Sequence, residues 1–230
     1  MSSHLVSNVP MKRIPFALLL ALAACLPARA ALYTIDYTSG FNNGGVIPDG
    51  NVAGWSDTRT LSGIADLVIT DVNVKLNISG SYNGDLFGYL VHGSGFAILL
   101  NRVGAGSGGQ PQFTFGYATS GFNNIKLDDS AIPNIHTVQN PVTLTAYASD
   151  GGTLASFNNL DPNGSWTIFF ADMASGDSST VMGWSLEINA VPEPVNLALI
   201  ALGGILATAK GIAWLRSRRR LTPGGRRQPA

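Results

Sequence analysis

Residues 72–78 read Val-Asn-Val-Lys-Leu-Asn-Ile: apolar Val72, Val74, Leu76 and Ile78 alternate with polar Asn73, Lys75 and Asn77. A period of two sends alternate side chains to opposite faces of a strand, so this segment buries one face and wets the other. Further runs rich in Val, Ile, Thr, Tyr and Phe recur at 65–79, 86–92, 96–103, 142–149, 166–172 and 183–189, separated by Gly, Asn, Asp and Ser. "NGDL" at 83–86 and "PNGS" at 162–165 are turn signals between them. No stretch of the body, 31–190, carries the spacing of an amphipathic helix. With 27 Gly and only 12% charged residues, the expectation is an all-β, jelly-roll-like antiparallel β-sandwich of about eight to nine strands. "TSGFNN" occurs at 38–43 and again at 119–124, and reads as repeated turn chemistry, not a duplicated domain.

The formal net charge of zero conceals a split. All 14 acids lie between Ala31 and Pro194, with only Arg59, Lys75, Arg102 and Lys126 to balance them, a net charge near −10. Such a body repels phosphate backbones, so nucleic acid is not an expected partner. The remaining bases lie at the two ends, each group beside an apolar run, which is the arrangement of membrane topology signals.

At the N-terminus, Lys12 and Arg13 precede an apolar core of 11 residues, Ile14 to Ala24, too short to span a bilayer. Ala28-Arg29-Ala30 then places small residues at the two positions a signal peptidase reads. Residues 1–30 are therefore expected to be a signal peptide cleaved after Ala30, with Met11 an alternative start. The lone Cys25 follows Leu22-Ala23-Ala24 and resembles a lipobox, but the Ala-Arg-Ala site favours ordinary cleavage. The mature chain then has no thiol chemistry and no disulfide.

Catalytic signals are sparse. His92 and His136 are the histidines of the exported part, and no serine stands in a nucleophile elbow. "GAGSGGQ" at 104–110 has the glycines of a phosphate loop without its lysine, and reads as a loop. Loop carboxylates Asp85, Asp128, Asp129, Asp161, Asp172 and Asp177 are raw material for calcium, although without EF-hand spacing; each can equally close its own turn.

"YNGDLFGYLVHGSGFAILLNRVG" (82–104), "LDDSA" (127–131) and "LASFNNLDPNGSWTIFFADMASGDSSTVMGWSLEI" (154–188) resemble the P domain of proprotein convertases, over roughly residues 60–190. The resemblance implies a β-sandwich with Trp166 and Trp184 packed inside and a turn at Gly84-Asp85-Leu86. It also implies a candidate calcium set of Asp85, Asp129, Asp161 and Asp172. Gly80 stands where the family often has a histidine, and no protease domain precedes the module, so no proteolytic activity carries over.

After the body comes Val-Pro-Glu-Pro at 191–194, then 21 apolar-rich residues, Val195 to Leu215, ~31 Å as a helix and matched to a bilayer core. Lys210 lies near its end and can snorkel. Arg216, Arg218, Arg219 and Arg220 follow, and by the positive-inside rule they stay cytoplasmic while the body faces outward. The run 191–220, followed by a basic tail at 221–230, resembles a PEP-CTERM sorting signal. That resemblance implies that an exosortase of a Gram-negative bacterium reads Pro192, Glu193 and Pro194, and that the helix is then removed.

The expected protein is thus exported across the inner membrane, processed by signal peptidase and exosortase, and non-enzymatic. Its expected setting is the cell envelope or extracellular polysaccharide matrix, in a structural or adhesive role. One alternative is a carbohydrate-binding module using Trp55, Tyr82, Tyr89 or Tyr117, although core packing suits each of them better. Another is a hydrolase using His136 with Asp128 or Asp129.

Overall fold

The computed structural model describes residues 29–106, 115–143, 145–151 and 153–219, with side chains in the C-terminal helix described for 202–214. Lys12, Arg13, Cys25, Ala28, Arg220 and the tail 221–230 lie outside the described residues, as do 107–110 of the glycine-rich loop and the side chains of Pro194, Arg216, Arg218 and Arg219.

The β body is one compact unit, Arg29–Pro192. Its strands are β1 (Ala31–Tyr37), β2 (Val46–Ile47), β3 (Trp55–Leu61), β4 (Val68–Gly80), β5 (Leu86–His92), β6 (Gly95–Asn101), β7 (Phe122–Leu127), β8 (Ala146–Tyr147), β9 (Gly164–Asp172) and β10 (Ser179–Val191). They form two sheets. One runs β1-β10-β4-β7-β8, with β2 also on β10; the other runs β3-β9-β5-β6. All pairings are antiparallel except β7 with β8.

Period-two patterning decides which faces meet. Val72, Val74, Leu76 and Ile78 of β4 are buried, as are Trp184, Leu186 and Ile188 of β10. From the second sheet Leu86 and Leu90 of β5 and Trp166, Ile168 and Phe170 of β9 enter the same cluster. Each such side chain gives about 1.5–3 kcal/mol on full burial, which is what holds two sheets face to face. A buried hydrogen bond also crosses between them: Trp184 Nε1 on β10 donates to Asp57 Oδ2 on β3, 2.8 Å away. Trp166 and Trp184 are both internal, as the sequence resemblance implies.

The turns follow their chemistry. Both TSGFNN copies place glycine and the final asparagine in the left-handed region: Gly40 at φ 75° and Asn43 at 50°, Gly121 at 72° and Asn124 at 49°. Gly84 sits against backbone, where an added Cβ would lie 2.5 Å from the Gly116 Cα. In the "DPNGSW" run, Asp161 Oδ1 accepts the Asn163 N–H at 2.9 Å and Trp166 Nε1 donates to the Pro162 carbonyl at 2.9 Å. Asn163 also bonds both the N–H and the carbonyl of Ile64, pinning this turn to the loop after β3.

One expected strand is largely absent. Among the described residues of 142–149, Ala146–Tyr147 pairs in parallel with β7 at the sheet border and Ala148 makes a lone bridge to Asn134. Val142 is 63% exposed there, so alternation alone gave it no partner surface to bury against.

The C-terminal helix, Pro194–Arg219, is described by itself. It starts on Pro194, whose fixed φ and missing N–H suit the first helical position. Pro192 and Glu193 lie outside both β10 and this helix. Among the described residues no helix is long and apolar enough to cross a membrane. Within 202–214, Leu202, Ile205, Leu206, Ile212 and Trp214 are all exposed.

Candidate functional site

The four aspartates expected to share a calcium are not drawn into one set. Asp129 accepts hydrogen bonds from Ser149, Thr153 and the Ala155 N–H, capping the short turn Leu154–Phe157. Asp161 accepts from the backbone and side chain of Asn163. Both close turns, the alternative role that loop aspartates commonly fill.

Asp85 and Asp172 do lie together, through the pairing of Leu86 with Asp172 on β5 and β9. Both are buried, and Asp85 Oδ1 has no hydrogen-bond partner among the described residues. Burial pushes the Asp85 carboxyl above the ordinary carboxylate range, the charge of Asp172 adds to the rise, and Arg102 opposes it. Burial likewise raises Asp172, with Asp49 and Asp177 contributing to its field. Asp49 and Asp177 are themselves tied down, to the Gly176 N–H and to Ser81 Oγ. Among the described residues no group of three or more His, Cys, Asp or Glu is placed to hold a metal ion. Of the four candidate ligands, Asp129 uses both carboxylate oxygens and Asp161 its Oδ1 in closing turns, while Asp85 and Asp172 stand side by side.

His136 resolves differently from expectation. His136 pairs not with Asp128 or Asp129 but with Asp150, Nδ1 standing 2.9 Å from Oδ1. Burial raises the Asp150 carboxyl, opposed by the bonds from His136 and the Asn101 N–H. Asp128 bonds Ser130 and Lys126 instead; burial opposes ionisation, but those bonds outweigh it and hold the carboxyl below its ordinary range. His92 is buried flat on Trp166, ring centroids 3.9 Å apart and planes at 2°. Its ring nitrogens face the carbonyls of Ser165 and Asp161, so it is a core residue of the DPNGSW turn.

Of the aromatic candidates, Trp55 and Tyr117 pack in the body, in line with the core-packing reading. Trp55 is buried, its indole N–H bonded to the Asn42 carbonyl and its ring edge-on to Phe41. Tyr82 adopts a left-handed φ of 59° at the turn before β5, and Tyr117 packs on the core. Only Tyr89 joins a surface cluster, stacked on Phe169 at 4.7 Å and flanked by Phe96, which is 48% exposed.

Two features without a sequence signature remain. A cleft of about 330 Å³ opens on the outer face of the larger sheet, lined by side chains from β1, β10 and β4 and by Asn124 of β7. The ends of the β body also adjoin: Ala31 pairs with Ala190, and Val191 with Val68, in β1-β10-β4. Strand pairing thus starts directly after Ala30 and ends directly before Pro192.

No family model matches the chain, and no curated protein matches it. Two solved structures are similar at a distance. One is the Aeromonas sobria serine protease in complex with its chaperone ORF2, at 16% identity and a TM-score of 0.42, over 76% of this chain and 29% of that one. The other is the Aeromonas sobria serine protease alone, at 16% identity and a TM-score of 0.41, over 74% of this chain and 29% of that one. The chain thus spans under a third of either neighbour's length, and likeness at this level carries no activity across.

Proposed function

We propose that the chain is an exported β-sandwich protein sorted by an exosortase. It leaves the cytoplasm on the signal peptide 1–30, is held in the inner membrane by the segment 195–215, and is released by processing at Pro192-Glu193-Pro194. Its P-domain-like body then serves a structural or adhesive role in the envelope or extracellular polysaccharide.

The observation that carries this reading is where the compact unit stops. The body is closed at Pro192, so cutting beyond it removes no strand and no core side chain. Pro192 and Glu193 form a two-residue link outside both β10 and the helix. A protease needs backbone free of both ladders, and proline favours the extended form a cleft accepts. At the other end, cleavage after Ala30 leaves β1 whole.

The experiment is expression of Glu193→Ala and Pro194→Ala in a host with an exosortase, followed by fractionation. Both variants are expected to accumulate in the membrane at precursor mass while the parent chain matures. Normal maturation of both would reduce the motif to a stalk.

A further inference from the structure

We infer that the cleft on the outer face of the larger sheet binds a neutral saccharide chain. This rests on the reading of an exported polysaccharide-associated protein and adds the site and the ligand class.

The cleft is built by strand register. Asp36 on β1 pairs with Ser185 on β10, and Ser185 with Lys75 on β4, so three polar side chains stand in one row across the sheet. Asn77 pairs with Gly183 in the next row, where the register of β10 shifts. Thr38 and Asn124 add two more polar side chains, and Leu76 and Trp184 give the cleft an apolar part. Gly183 is what makes the surface concave. A Cβ there would lie 3.2 Å from the Tyr37 carbonyl and 3.6 Å from Thr38 Cγ2, so any side chain would begin to fill the groove. The volume, about 330 Å³, is at the lower end for small-molecule sites.

The chemistry of the lining selects the ligand. Among the described residues Asp36, Thr38, Asn77 and Ser185 make no side-chain hydrogen bond within the protein, although Lys75 is tied to Glu187. Unused acceptors and donors therefore converge on one cleft: a carboxylate, an amide and two hydroxyls. Sugar hydroxyls both donate and accept, and a vicinal pair matches a carboxylate. An apolar ligand would strand these groups without partners, at a cost. A polyanion meets Asp36 and the acidic body, and an added peptide strand seeks a sheet edge, not the middle of a sheet face.

The test uses the full chain in mild detergent against four neutral hexasaccharides: β-1,4-glucan, β-1,4-xylan, α-mannan and chitin oligomers. Binding is read by titration calorimetry. At least one is expected to bind, with affinity falling about tenfold in Asp36→Ala or Asn77→Ala and further in the double variant, at unchanged Tm. These side chains hold nothing else together, so folding should be intact.

Absence of binding by all four overturns the inference. So does binding that the cleft variants leave unchanged, including binding lost instead in Phe96→Ala on the other sheet. The sorting reading is tested apart from this: the cleft variants should mature like the parent whether or not sugar binds.

Discussion

Replacing Asp57 by alanine tests the link between the two sheets. Its Oδ2 accepts the Trp184 indole N–H and the Arg59 Nε–H, each at 2.8 Å. Trp184 is 2% exposed, so its N–H would be left without water or partner, a cost of about 1–3 kcal/mol. Arg59 loses less. Its side chain is 25% exposed, it keeps a bond to the Ser39 carbonyl, and it stays over the Tyr37 ring at 5.1 Å. An ion pair of that exposure adds at most about 1 kcal/mol. The total is about 1–4 kcal/mol, or roughly 2–16 °C in Tm for a body of this size. Urea denaturation followed by tryptophan fluorescence would measure it. The cycle with Trp184→Phe isolates the bond, since phenylalanine has no N–H to strand: the double variant should lose at least about 1 kcal/mol less than the sum of the singles. A loss below about 0.5 kcal/mol for Asp57→Ala, or an additive cycle, would refute the inter-sheet role.

Asp85→Asn should stabilise the fold near neutral pH by roughly 1 kcal/mol, because it removes a buried charge facing Asp172. The folded carboxyl titrates above its unfolded value, so the ionised group costs stability above the folded pKa. The variant's advantage should therefore vanish as pH falls towards about 4. A lower Tm for Asp85→Asn, together with a parent Tm that rises with calcium, would instead mean that a cation is bound there. Glu187→Gln should act oppositely. Burial opposes ionisation of Glu187, but Lys75 and Lys126 outweigh it and depress the carboxyl. Its stabilisation is present above the unfolded pKa and lost as pH falls through the folded one, so a loss of about 1 kcal/mol at pH 7 should shrink only as the pH falls below the ordinary carboxylate range in pH-resolved melts. Gly84→Ala should cost at least about 2 kcal/mol by chemical denaturation, since its Cβ would press on the backbone of Gly116; a neutral result would show that the turn adjusts.

The β class and much of the core were legible because alternation reports directly on burial. β4, β5, β9 and β10 fall where their apolar period places them, and Trp166 and Trp184 are internal. β1 and β3 were not singled out because their patterns are mixed with polar residues: Trp55–Leu61 carries Asp57 and Arg59 on its inner positions, where their mutual pairing makes burial tolerable. The site was far less legible. Asp128 and Asp129 are prominent as neighbours in sequence, yet the partner of His136 is Asp150, brought to it by the loop around β8. The cleft draws Asp36, Asn77, Asn124 and Ser185 from four strands, and register alone joins them. Such proximity leaves no spacing to read.

The central claim is that both ends of the chain are removed around an intact sandwich. Intact-mass spectrometry of the protein recovered from cells carrying an exosortase tests it most directly. The expected species begins at Ala31 and ends within Pro192-Glu193-Pro194, without the helical segment. A chain that retains Val195 through Ala230 in its mature form would contradict the account.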